Sequence, residues 1–264
     1  MSDLSSALLT SISQRSEESA APRLAGSVVA RGVVSSAERR EMYRLLEIYF
    51  AGTSLGQFEA DLAEKELVFL LRDSVTGQIQ GFSTSMRLSA RIDDEDIVAF
   101  FSGDTIIARE YWGDSLLARL WSQKIFAEAD LIHAVRPSTR VYWYLICSGY
   151  RTWRFLPVFF REYWPNMAAV TPAHQQSILD TLGQQKFGSQ YVRGVGVVHL
   201  RSAAPLRSGI SDITEKRMTD HQVAFFARMN PGHIRGDELA CLTEITRSNL
   251  TRAGQRMVGS AVGQ

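Results

Sequence analysis

The spacing of apolar positions changes several times along this chain, and each change marks a predicted element. Apolar residues between Ser27 and Val33 predict a short strand. Ser35-x-x-Glu38 then spells a helix start, because a serine hydroxyl and a glutamate three residues on can satisfy each other's orphan backbone N–H groups. Met42, Leu45, Leu46 and Tyr49 fall on one face of that helix. Ser54-x-x-Gln57 opens a second, shorter helix with Leu55, Phe58 and Leu62 inward. The period then shortens. Leu67 to Leu71 is a compact apolar run, the polar turn Asp73 to Gly77 ends it, and Ile79 to Leu88 is its hairpin partner. The acidic turn Asp93 to Asp96 leads into a third antiparallel strand, Ile97 to Ala108.

From Tyr111 the pattern is helical again, with Leu116, Leu117, Leu120, Trp121 and Ile125 in one broad apolar stripe. A loop from Asp130 to Arg140 precedes Val141 to Cys147, an unbroken apolar run expected to be a strand buried on both faces. Tyr150 to Trp164 is expected to be helical, at least from Pro157, and Tyr191 to Leu200 to be the last strand. A helix is expected over Thr219 to Met229, stopped by Asn230-Pro231-Gly232, with a second helical pattern after Asp237. The resulting division is a flexible tail over 1–25, where Leu4, Leu8, Leu9 and Ile12 make only a weak pattern, a domain over 26–200, and a helical extension over 201–264 packed on the core. No internal repeat interrupts it.

Composition narrows the function. With 29 basic and 28 acidic side chains in 264 residues, the net charge of +1 supplies no overall field for nucleic acid or an anionic membrane. No apolar run is long enough to span a bilayer, so no membrane insertion is expected. The two cysteines, Cys147 and Cys241, match neither a disulfide framework nor a metal spacing, which fits reduced thiols and a cytoplasmic setting. His233-x-x-x-Asp237-Glu238 has helix-like ligand spacing, but it straddles Gly232 and Gly236 and lacks further ligands, so no metal is expected.

Two stretches carry a resemblance. One is Ile106-Ile107-Ala108-Arg109-Glu110-Tyr111-Trp112-Gly113-Asp114-Ser115, a strand end, a glycine turn and a helix start. The other is the run from Tyr142 through Cys147-Ser148-Gly149-Tyr150-Arg151 to Tyr163. With the element order over 27–200, they resemble the GNAT superfamily of N-acyltransferases. The resemblance implies an α/β (α+β) fold with a mixed, mostly antiparallel central sheet flanked by helices, here with a C-terminal helical extension. It also implies acyl transfer from a thioester to an amine, and a loop whose N–H groups hold the pyrophosphate of coenzyme A. The donor contacts it implies are Ile106, Ile107, Ala108, Trp112, Gly113, Asp114, Ser115 and Arg151. Glu110 stands where Arg or Gln is usual and Ser115 where Gly or Ala is usual, and the Asp114 carboxylate opposes a pyrophosphate. The donor is therefore either acyl-CoA or an acyl-phosphopantetheine on an acyl carrier protein.

Amine acylation needs a proton acceptor and optionally an acid for the departing thiolate. Asp104, alone in the apolar strand Phe101-Ser102-Gly103-Asp104-Thr105, is the candidate base if it points into the groove, and the plainer reading is a surface or hairpin-side carboxylate, or one beside a bulge at Gly103. Tyr144 and Tyr150 are candidate acids, with core packing the alternative for Tyr144 and groove exposure expected for Tyr150. The tyrosine that the superfamily often places on the following helix is replaced here by Phe159 or Phe160. Arg136, Arg140, Arg151, Arg154 and Arg161 form either a cationic cluster for a phosphate or an acidic carrier or simply a solvated face. All five Trp lie between Tyr111 and Trp164, either lining a wide apolar pocket for a medium or long acyl chain or packing a core. The acceptor expected is an amine of a small metabolite or peptide. The competing readings are a catalytically silent binding module and another thioester reaction, such as decarboxylation or O-acyl transfer, on the same fold.

Overall fold

The computed structural model describes residues 23–200, 205–210 and 212–259, so the tail expected over 1–25 lies outside the described residues except for its last three. Eight strands form one sheet in the order β1-β2-β3-β4-β5-β8-β7-β6. β1 (Leu24–Ala30), β2 (Leu67–Asp73), β3 (Ile79–Ile92) and β4 (Glu95–Ile107) pair antiparallel in sequence. β4 and β5 (Arg140–Cys147) are parallel, and a parallel pair cannot be joined by a tight turn. The crossover is α3, Leu116–Val135, which takes in the first six residues of the loop expected from Asp130. The architecture is the mixed, mostly antiparallel sheet with flanking helices that the resemblance implied.

Helices cover both faces. α1 (Ser36–Tyr49) begins as the sequence dictates: Ser35 Oγ accepts from Glu38 N at 3.2 Å while Ser35 N donates back to the Glu38 carboxylate at 2.7 Å. α2 (Leu55–Ala63) is capped by Ser54. Together they bury Met42, Leu45, Phe58 and Leu62 against Val68, Leu70 and Phe82 of the sheet. The opposite face is covered by α3, through Leu117, Trp121 and Ile125, and by the short helices α4 (Tyr150–Trp153) and α5 (Phe155–Phe159).

Three expectations fail and one element is unforeseen, four departures in all, each because tertiary packing overrides a local pattern. The helix expected from Tyr150 to Trp164 stops at Phe159, and the chain continues as an edge beside β8, with Trp164 and Leu242 exchanging backbone hydrogen bonds of 2.8 Å. The strand expected over Tyr191 to Leu200 is a tight hairpin, β6 (Tyr191–Val192) and β7 (Val197–Val198), reversed at Gly194 and Gly196. An unforeseen helix, α6 (Ala173–Phe187), is glutamine-rich yet buries Ile178, Leu179 and Leu182 on the sheet.

The fourth concerns the C-terminal segment expected to be a helical extension. It does contain α7 (Glu215–Met218), α8 (His221–Met229) and α9 (Arg252–Val258), but the helical pattern after Asp237 is a strand, β8, Glu238–Glu244. β8 lies in the sheet interior between β5 and β7. Leu239, Leu242 and Ile245 mimic a helical stripe in sequence, but Leu239 and Cys241 face one core layer while Ala240 and Leu242 face the other. Cys147 and Cys241, 94 residues apart in sequence, thereby come within 4.0 Å, both buried free thiols.

Candidate functional site

The parallel register of β4 and β5 runs from Ile97↔Arg140 to Ser102↔Leu145 and then ends. Beyond it both strands continue without pairing to each other, over Gly103–Ile107 on β4 and Ile146–Cys147 on β5, so the sheet parts at the carboxyl ends of its parallel pair. Such a parting is where an α/β sheet offers a crevice. At the same point β4 carries a bulge. Thr105 pairs with Ser83 and Ser102 with Ser85, so Gly103 and Asp104 oppose the single residue Thr84.

Gly103 is required there by close approach. A Cβ on it would stand 2.7 Å from Lys65 Cε and 2.8 Å from Thr84 Oγ1. The Lys65 side chain, 1% exposed, crosses the strand at this gap and bonds Asp61 through its carboxylate at 2.9 Å and its carbonyl at 3.1 Å. Thr84 Oγ1 is buried beside it without a hydrogen-bond partner.

Asp104 follows immediately. Burial raises its carboxyl to about 7, with repulsion from Asp61 and a hydrogen bond to Asp61 adding to the rise, while Lys65 and Lys186 oppose it. Lys186, near the end of α6, lies 5.5 Å from the Phe101 ring and pairs with Glu64. From the far side of the parting, Glu238 at the start of β8 is also raised to about 7 by burial and by repulsion from Asp104 and Asp61, with a hydrogen bond to Ser148 holding it down. Neither Asp104 nor Glu238 makes a salt bridge among the described residues. Glu238 drew attention in the sequence only beside His233 and Asp237, as an implausible metal set. That set is not formed: His199 pairs with Asp237 at 2.9 Å, and no group of three metal-ligating side chains occurs among the described residues. Only β5–β8 pairing, which no local pattern announces, brings Glu238 to Asp104.

The loop after β4 departs from a phosphate cradle. Gly113, at φ +97°, makes the turn that a glycine is needed for. The N–H groups of Tyr111, Trp112 and Asp114 donate within the loop to Ala108, Arg109 and Tyr111. Asp114 itself accepts from Leu116 N at 2.6 Å, so a resident carboxylate occupies the first turn of α3. Ser115 precedes α3 without a side-chain cap. These residues do not fit a diphosphate. Ile106 and Ala108 are buried toward α1 and α2, Ile107 packs toward α3, and Trp112 Nε1 donates to Ile107 O at 2.9 Å.

The Trp112 ring carries two guanidiniums, Arg151 at 4.7 Å and Arg109 at 5.6 Å, and Arg217 lies 5.7 Å from the Tyr150 ring. This cluster differs from the one expected. Arg140 sits at the opposite end of β5 in a bidentate pair with Glu244, at 2.6 and 2.7 Å, and Arg154 pairs with Asp220 at 3.4 Å. Tyr150 is buried rather than open to a groove. Tyr144 does not join Asp104: it is fully buried beneath α6, 5.7 Å from the Phe101 ring, and burial, with the Asp180 carboxylate nearby, pushes its phenol up and holds it protonated.

The aromatic stretch is packed core. Trp121 and Trp143 lie 4.4 Å apart, Trp143 and Phe160 5.9 Å, and Trp153 and Phe225 5.3 Å, so these rings pack on one another. A cavity of about 500 Å³ does exist, but between the 165–171 loop, α6 and the Gly194–Gly196 turn, and none of its lining residues is ionisable.

No protein-family model matches the chain, and no curated protein matches it. Solved structures do. A conserved protein of unknown function from Enterococcus faecalis V583, described as a probable N-acyltransferase, is similar at 13% identity over 53% of this chain and 33% of its own, with a TM-score of 0.38. This chain therefore spans only about a third of that protein. An Escherichia coli GNAT family N-acetyltransferase in complex with CoA is similar at 16% identity over 51% and 69%, TM-score 0.33. A Trypanosoma brucei acetyltransferase is similar at 15% identity over 56% and 99%, TM-score 0.35.

Proposed function

We propose that this chain is a divergent GNAT-like enzyme that transfers an acyl group from a thioester to an amine at the parting of β4 and β5. The observation that carries the proposal is the placement of Asp104 on the bulge where the parallel register ends, with a carboxyl raised to about 7. A base of that strength is matched to work near neutral pH. The amine nitrogen attacks the thioester carbonyl, its proton passes to Asp104, and the carbon–sulfur bond breaks to release the thiol and leave an amide. No tyrosine stands ready as an acid for the thiolate, since Tyr144 is sealed beneath α6, so solvent supplies that proton.

The donor reading follows from the loop. Asp114 and the internally spent amides disfavour a diphosphate, whereas Arg109 and Arg151 on Trp112 suit a single phosphate at the mouth. A pantetheine arm carried on an acidic carrier protein has that chemistry, and acyl-CoA held without its usual cradle is the competing donor. The test is single-turnover transfer to a panel of primary amines from acetyl-CoA and from acetyl-phosphopantetheine on a carrier protein, followed by mass spectrometry. Amide formation that disappears in Asp104→Asn supports the proposal. Absence of amide product with every donor, while the protein still binds one, leaves the silent binding module in its place.

A further inference from the structure

Four carboxylates, Asp61, Glu64, Asp104 and Glu238, gather around two lysines at the parting of the sheet. Lys65 is committed to Asp61 and Lys186 to Glu64. Asp104, on the β4 bulge, and Glu238, one residue before the Leu239 that pairs with Cys147 at the end of β5, repel one another across the parting; both are half-buried and neither makes a salt bridge among the described residues, although Lys65 and Lys186 attract Asp104 from within their own pairs. An acceptor bearing a carboxylate or phosphate would find no free cation here, because both lysines are already neutralised. An independent observation marks the same spot: Thr84 Oγ1, on a residue 1% exposed, has no partner and points at the bulge beside Gly103, where it can accept a hydrogen bond.

We infer that this crevice selects a dicationic acceptor, an amine whose second ammonium a few carbons away is held by Glu238 while the reacting nitrogen lies against Asp104 and Thr84. This rests on the amine-transfer reading above. Glu238 is then a specificity-determining residue rather than a base, and its hydrogen bond from Ser148 orients the carboxylate. One carboxylate is needed to take a proton, and the second, Glu238, on which no lysine or arginine acts, is matched by a cation that remains charged after the reacting amine is deprotonated.

The experiment is calorimetric titration of the full chain at pH 8, without any donor, with three probes: diamines of three to five carbons, butylamine, and 4-aminobutanoate. The diamine is expected to bind about tenfold or more tightly than butylamine, and 4-aminobutanoate most weakly. Glu238→Gln is expected to erase the diamine preference while leaving butylamine unchanged, and Glu238→Asp to retain it. The inference is overturned if diamine and butylamine bind within twofold of each other, if no probe binds, or if Glu238→Gln weakens both equally. Should the Gln variant fail to fold, the wild-type comparison of the three probes decides. Acyl transfer to amines without a diamine preference removes this inference and leaves the transferase reading, whereas diamine binding without any transfer does the reverse.

Discussion

Replacing Asp104 by Asn should slow the proposed acyl transfer and strengthen the protein, and the two effects have one cause. In the unfolded chain the carboxyl has an ordinary value near 3.8; in the fold, burial and Asp61 raise it to about 7. Because the folded value is raised, the fold favours the protonated form. The destabilisation is therefore absent below about pH 4, grows as pH rises, and is complete above about pH 7. Partial solvent access and charge shared with Asp61 and Glu238 hold the cost of the ionised carboxylate to about 1–2 kcal/mol. Asparagine keeps the shape and removes the charge, so at pH 8 the melting temperature should rise by about 2–8 °C, with the gain shrinking toward pH 4. Over the same substitution, loss of a positioned base should lower kcat/KM for acyl transfer by about 10²–10⁴-fold. Calorimetric melting of both proteins across pH 4–8, beside a thiol-release assay, measures both quantities. A variant that melts lower at pH 8, or whose gain does not depend on pH, refutes a buried, raised carboxylate; unchanged kcat/KM refutes its role as base.

Lys65 holds Asp104 down, so Lys65→Met should move the rising limb of the pH–rate profile, expected near pH 7 in the wild type, to higher pH; a limb that stays in place would show that Lys65 does not act on the base. Removing residues 237–264 deletes β8, whose Leu239, Ala240, Cys241 and Leu242 are buried from both faces. Their burial is worth about 5–8 kcal/mol, comparable with the whole stability of a domain, so the truncated chain should show no cooperative unfolding transition by circular dichroism. Gly113→Ala forces a Cβ into φ +97° and should lower stability by about 1–2 kcal/mol in urea titration, with little effect if the loop can re-form at negative φ.

Local chemistry settled much of the first half of this molecule before any contact was considered. The capping pair Ser35 and Glu38, the inward stripe of α1, the β2–β3 turn and the both-faces-buried run of β5 are written in neighbouring residues, and the structure follows them. Asp104 was legible for the same reason: a lone carboxylate in an apolar strand is conspicuous in sequence. What local pattern does not contain is pairing over distance. The stretch after Asp237 carries a helical spacing, and only the edge of β5, with its unmatched backbone groups, makes it a strand. That single pairing closes the sheet, sets Cys241 against Cys147 and brings Glu238 across from Asp104. Likewise α6 reads as polar because its buried face is only a few residues wide, and Tyr144 read as a candidate acid because sequence cannot show a helix lying over it. The sequence by itself determined the capped helices α1 and α2, the β2–β3 turn and the lone carboxylate Asp104 in its apolar strand. The tertiary structure alone decided which second acid faces it, because strand partners are chosen by free edges and buried area rather than by spacing along the chain.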